Sequence, residues 1–196
     1  KNRFFFPPGI SIRIRMELSE IKKFDNLSKI ISVLYGWQVI DLLNKDIKIN
    51  HKFTRGLHWI KKLEGKEILY LVKGSKSNEI ICERLFINKK DRKILHEYNF
   101  VKSEFEKNQE KYKYFSASNW TAFIEDNNLD PETIKLLISE SILFWRELFR
   151  WLFIYRFIKS SKNGKTLKEE GWKEGKNIGD EIKRLRYINI DNYSKH

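Results

Sequence analysis

Apolar residues recur at three- and four-residue intervals along nearly all of this 196-residue chain. Side chains at that spacing share one face of a helix, so the pattern predicts helices over residues 12–24, 27–35, 54–72, 77–87, 90–109 and 117–126. Strand-like alternation is confined to Ile10-Ser11-Ile12-Arg13-Ile14-Arg15, and the helical spacing of Met16-Glu17-Leu18 assigns that stretch to a helix as well. The expected fold is all-α: an elongated array of helices with no internal repeat, ending in a glycine-rich helix-turn-helix-like segment.

Punctuation residues refine this reading. Asp130-Pro131-Glu132 is a helix start with a mechanism: a capping carboxylate, a proline whose missing N–H costs nothing there, and an acid at the positive helix end. The longest helix is predicted to run from it to about Ile158. Its aromatic residues Phe144, Trp145, Phe149, Trp151, Phe153, Tyr155 and Phe157 cover more than one face. Several helices must pack around it, or one face is left for another domain or partner. Glu140, Arg146, Glu147, Arg150 and Arg156 interrupt it too often for a lipid-facing span, so it is expected in a protein core and not in a membrane. Gly65 and Gly74 are expected to end helices, and Ser160 to Gly164 reads as a polar hinge.

Composition narrows the function classes. Aromatics make up 14% of the chain and apolar residues 41%, enough for real cores. The formal charge of +13 points to a polyanion partner. Met16 is the only methionine, so the sequence is expected to be a piece of a longer protein. Cys82 is the only cysteine and reads as a small buried hydrophobe. No secretory signal is visible.

Catalytic constellations are missing from the sequence. Two-metal nucleotidyl transfer needs closely placed carboxylates such as Asp-x-Asp; Glu125-Asp126 and Glu169-Glu170 are neighbours that point to different helix faces. There is no phosphate-binding Gly-x-x-x-x-Gly-Lys-Ser/Thr loop and no nucleophile elbow. His51 and His58 lack the further ligands a zinc ion would need.

One segment does carry a binding signal. Gly164, Gly171, Gly175 and Gly179 fall within sixteen residues, between two stretches of helical spacing. Glycine permits positive φ and close backbone approach, so a short helix, a turn and a second helix are expected. The amides opening the second helix suit a phosphate, and the candidate RNA contacts are Lys162, Lys165, Lys168, Lys173, Gly175, Lys176, Gly179, Lys183, Arg184 and Arg186. Lys159 extends the positive surface, and Trp172 reads either as a base-stacking ring or as a plug between the helices. A lysine-rich rim is also what an ordinary solvated face looks like.

The run Gly164, Leu167, Gly171, Gly175, Ile178, Gly179, Ile182 and Leu185 resembles the C-terminal end of bacterial tRNA nucleotidyltransferases (CCA-adding enzymes) and the related poly(A) polymerases. It departs from that pattern at Thr166, where the family has aspartate, and at Glu174 and Lys176, where it has prolines. Ser11, Arg13, Ile14, Glu17 and Leu18 look like the helix that follows the neck in these enzymes. Residues 31–42 and 116–137 are similar to segments that fall between those two ends.

The resemblance implies an organisation: residues 1–26 as the end of the neck helix, 27–130 as a helical body, and 131–196 as the long helix plus an RNA-binding tail. It implies that the parent protein is a cytoplasmic nucleotidyltransferase whose catalytic head lies before Lys1. Mg2+ and CTP or ATP would be bound in that head, and this part would hold no cofactor of its own. Its partners would be tRNA or another structured RNA and the protein's own head and neck, with a homodimer compatible. Body and tail would grip the acceptor stem and TΨC arm through phosphates and 2′-hydroxyls, without reading sequence. Two other readings stand beside this one: a stand-alone basic helical module that binds nucleic acid, and a helical protein-interaction or dimerisation domain.

Overall fold

The computed structural model describes residues 16, 20, 27–37, 50–73, 78–172 and 175–195. Among these the chain is all-α, with no strand. The helices are α1 (Leu27–Gly36), α2 (His51–Lys62), α3 (Glu67–Val72), α4 (Asn78–Arg84), α5 (Lys89–Lys107), α6 (Gln109–Lys113), α7 (Ala117–Asp126), α8 (Pro131–Ser139), α9 (Trp145–Phe153), α10 (Gly164–Glu169) and α11 (Lys176–Ser194), with a 3-10 turn at Tyr155–Phe157. No described helix is long and apolar enough to cross a membrane. The neck-like motif at residues 11–18, apart from Met16, and the Gly74 helix end lie outside the described residues.

The chain divides into two compact units. The first comprises the described residues up to Glu106 together with Asp130–Leu143; the second is Lys107–Leu129 with Phe144 onward. This grouping differs from a boundary at residue 130: α8 joins the first unit, while α6 and α7 belong to the second.

In the first unit, α2 and α8 cross at Gly56. A Cβ there would lie 2.6 Å from the Ser139 carbonyl oxygen, so only glycine permits this approach. The apolar pattern of residues 54–72 is served by two helices rather than one. Glu64 takes a left-handed φ of 52°, and Gly65 N–H closes the end of α2 on the Ile60 carbonyl. Along α5, Ile94, Leu95, Tyr98, Val101 and Phe105 form the buried stripe that the spacing requires. The start of α8 is as expected: Asp130 Oδ1 accepts from Glu132 N–H at 2.9 Å, with Pro131 at the first helical position. Glu97 of α5 adds a second tie, accepting from Asp130 N–H at 2.8 Å and from the Thr133 hydroxyl at 2.6 Å.

The predicted long helix from Pro131 to Ile158 is not formed. It stops at Ser139; Ser141 and Phe144 adopt left-handed φ of 53° and 65°, and a new helix begins at Trp145. The cause lies in its apolar residues, which exceed one face. With the break, Ile134, Leu136, Leu137 and Ile138 are buried in the first unit, and Leu148, Trp151 and Leu152 in the second. Each half thus buries its own face.

The second unit is built on Trp120 of α7, which is 1% exposed. Tyr112, Phe115 and Phe144 surround it with ring centroids 5.2 to 5.7 Å away, a separation at which aromatic pairs attract beyond simple area burial. Helix α11 is tied to α7 at several points. Near its end Asp191 accepts from both N–H and Oγ of Ser118, at 2.8 and 2.7 Å, placing a negative charge on the positive end of α7. One and a half turns earlier Arg186 meets Glu125 through two hydrogen bonds of 2.7 and 2.8 Å.

Candidate nucleic-acid interface

The tail of the second unit begins at Asn163, whose side chain accepts from Thr166 N–H at 3.0 Å and so starts α10. Leu167 is the buried residue of that helix, and Ile178 and Ile190 are those of α11. Gly164 lies against the Ile178 and Ile182 side chains. Between the helices Gly171 and Gly175 take φ of 92° and 119°, a region L side chains rarely adopt. Lys173 and Glu174 lie outside the described residues. Gly175 leads into α11 with no side-chain cap, and no acid occupies the first turn of that helix. A Cβ at Gly171, Gly175 or Gly179 would meet nothing within 4 Å, so these positions open on space rather than on a packed neighbour.

The ten sequence candidates separate into groups. Lys165, Lys168 and Lys176 are exposed; the first two lie on α10, and Lys176 lies with Gly175 and Gly179 at the start of α11. Lys162 meets Glu170 at 2.7 Å, Lys183 meets Asp126 at 2.7 Å, and Arg184 meets Glu181 through two bonds of 2.7 Å. The Lys162 and Lys183 pairs are solvated and weak enough for a phosphate to displace the carboxylate, whereas Glu181 in the Arg184 pair is only 12% exposed. Hydrogen bonding to Asp126 raises the Lys183 pKa above its ordinary value, so this ammonium keeps its charge at neutral pH.

Arg186 differs in kind. Besides the two bonds to Glu125, its Nε donates to the Ile158 carbonyl at 2.8 Å, and its side chain is only 20% exposed. Hydrogen bonding to Glu125 raises its pKa further. This guanidinium closes the second unit on itself and offers little to a ligand. Trp172, 40% exposed, donates its backbone N–H to the Leu167 carbonyl at 3.0 Å.

Two further features lie outside the candidate RNA contacts. One is the outer face of α9, part of the aromatic surplus that the sequence leaves for packing or a partner, where Arg146 and Arg150 are exposed, Phe153 is 49% exposed, and Phe149 packs on Phe153 with ring centroids 4.6 Å apart. Its signal was the phase of the aromatics: Leu148, Trp151 and Leu152 fall on one side of a 3.6-residue wheel, Phe149 and Phe153 on the other. The second is a buried polar cluster in the first unit. Glu140 accepts from the Tyr98 hydroxyl, from Lys102 at 3.1 Å, and pairs with Lys73 at 3.4 Å. Lys73 Nζ lies 4.2 Å from the centre of the Tyr70 ring. Burial pushes the Lys73 pKa down to about 8, against the opposing pull of Glu140. Helical spacing joins Tyr98 and Lys102 on α5, but nothing in the sequence joins them to Lys73 or Glu140.

A cavity of about 270 Å³ in the first unit is lined by Cys82, Arg92, His96 and two glutamates, among others. Burial pushes the Cys82 thiol up, so it is a poor nucleophile at neutral pH. Among the described residues no three His, Cys, Asp or Glu side chains gather in one place. No protein-family model, no curated protein and no solved structure matches the chain.

Proposed function

We propose that this chain is an RNA-gripping helical module of the kind that forms the body and tail of tRNA nucleotidyltransferases and poly(A) polymerases. The observation that carries the reading is the start of α11. Its N-terminus has neither side-chain cap nor first-turn acid, opens from a glycine with free space around it, and is bordered by exposed Lys176, with exposed Lys165 and Lys168 in the neighbouring helix. Backbone amides at a helix end and exposed ammonium groups recognise phosphate without reading bases. Lys162 and Lys183 extend the surface once phosphate replaces their carboxylate partners, and Arg184, 60% exposed, adds its charge while still paired with Glu181. Arg186 is reassigned from RNA contact to the internal frame, on its burial and four-point bonding.

On this reading the substrate is an A-form stem such as the acceptor and TΨC arms of tRNA, held in the cytoplasm while a head outside this sequence uses Mg2+ and CTP or ATP to extend the 3′ end. The grip is tested by titrating the chain with a tRNA transcript, an acceptor-stem minihelix and a single strand of equal length. Equal binding to the first two, well above the third, is the expected outcome. Charge reversal of Lys165, Lys168 and Lys176 should weaken duplex binding and lower its salt slope by roughly 0.7–0.9 for each phosphate no longer neutralised. Unchanged affinity and slope would remove this tail from the interface.

A further inference from the structure

We infer that the outer face of α9 and the turn after it form a second RNA surface, one that stacks the bases of a single-stranded segment. This rests on the RNA-binding reading above and names a different part of the substrate.

The face is set by helical phase. Leu148, Trp151 and Leu152 are 5% exposed or less, as is Tyr155 in the following turn. The opposite side carries Arg146, Phe149, Arg150 and Phe153, and the chain continues into Arg156 and Phe157. Phe153 is 49% exposed and Phe157 61%. The Arg156 guanidinium lies 4.5 Å from the centre of the Phe157 ring, and Phe149 and Phe153 form a tilted pair. Aromatic rings and guanidinium groups therefore alternate in sequence along the exposed residues of α9 and the turn after it. A purely apolar partner would leave the arginines desolvated, and a duplex backbone would leave the rings unused. A single strand uses both, with bases on the rings and phosphates on the arginines.

Charge complementarity points to the same occupant. From residue 141 to 168 the chain has seven Lys and Arg and one acid, Glu147. That acid is held by Arg150 at 2.9 Å. No other carboxylate of this stretch repels a nucleic-acid backbone. Insertion into a lipid surface fits less well, because the wholly apolar side of α9 is turned into the protein core.

The test uses the full chain with three minihelices: blunt, carrying a 3′ tail of about five ribonucleotides, and carrying the same tail with abasic sugars. The base-bearing tail should tighten binding about tenfold or more over the blunt duplex, and the abasic tail should give only a small part of that gain. The double variant Phe153→Ala/Phe157→Ala alters exposed rings only; it should lose the gain and leave blunt-duplex binding unchanged. Phe153→Tyr/Phe157→Tyr should restore it, since a phenol stacks as well. Arg146→Ala/Arg156→Ala should weaken tailed binding and reduce its salt slope. If the base-bearing tail adds nothing, or no more than the abasic one, the stacking surface falls while the duplex grip stands. Loss of all RNA binding by the wild-type chain would overturn both. A concentration-dependent rise in solution mass that Phe153→Ala/Phe157→Ala abolishes would assign the face to a second copy of this chain instead.

Discussion

Glu140 in the first unit and Glu125 in the second each gather cations, and they do so with opposite consequences. Glu140 is surrounded by Lys73, Lys102 and the Tyr98 hydroxyl. Burial lowers the pKa of both lysines, that of Lys73 to about 8. Glu125 holds one arginine in a two-point pair, and the partnership raises the arginine's pKa. An ammonium is a compact, strongly hydrated charge that gives up its proton when desolvated, whereas a guanidinium stays charged and fits a carboxylate in a planar fork. The same residue classes therefore make a cluster whose Lys73 is pushed down to about 8 in one unit and a permanent clamp in the other.

The contrast can be broken most strongly at the clamp. Arg186→Ala leaves Glu125 and the Ile158 carbonyl without their donor, and should cost about 2–3 kcal/mol in thermal or denaturant unfolding. Arg186→Lys keeps the charge without the fork and should recover only part of that stability. A cost under about 0.5 kcal/mol for Arg186→Ala would return this residue to the cations available to RNA.

The buried lysine gives a slightly smaller effect, with a sign that is easily checked. Above pH 8 the folded chain has begun to release a Lys73 proton that the unfolded chain keeps up to about 10.5. The unfolded state then binds more protons, so stability should rise with pH, by about 1.5 kcal/mol between pH 8 and 9.5. Lys102, shifted the same way by burial, adds in the same direction. Toward pH 10 and above the gain should reverse, because Tyr70, Tyr155 and Tyr187 have raised pKa values and keep protons that the unfolded chain loses. Lys73→Met should flatten the rise between pH 8 and 9.5. A wild-type profile that is flat or falling there would show that Lys73 keeps its proton when folded.

The smallest effect is expected at the solvated pairs. Lys183→Ala breaks the 2.7 Å contact with Asp126, in which both side chains are about half exposed, and should change stability by no more than about 0.5 kcal/mol. The same substitution should weaken RNA binding. Separation of the two readouts at Lys183, with the reverse pattern at Arg186, would sharpen the division between cations that hold the fold and cations that can exchange partners.

Much of this is legible in the sequence where the determinants are local. Asp130-Pro131 starts α8 because a carboxylate and a proline act within one turn, and Gly65 marks the end of α2 for the same reason. Cys82 lies buried on α4, as its apolar neighbours imply. The run from Pro131 to Ile158 misleads because helical spacing continues across Ser139 to Trp145 while the face being buried changes. Spacing reports that some face is apolar; it does not report which unit will receive it. Among the candidate RNA residues, the sequence shows where the cations cluster, and nothing in it distinguishes Arg186 from Arg184 two positions away.

Sequence alone therefore determined the helical class, several helix boundaries and the strong positive charge, all of which follow from residue spacing and composition. Tertiary structure decided which side chains meet: that α8 and α9 serve different units, that Lys73 is desolvated beside Glu140, that Arg186 is held by Glu125, and that Phe153 and Phe157 stay exposed. The two carboxylate pairings join residues 61 and 67 positions apart. Burial and charge pairing depend on distance in space, which local spacing does not encode.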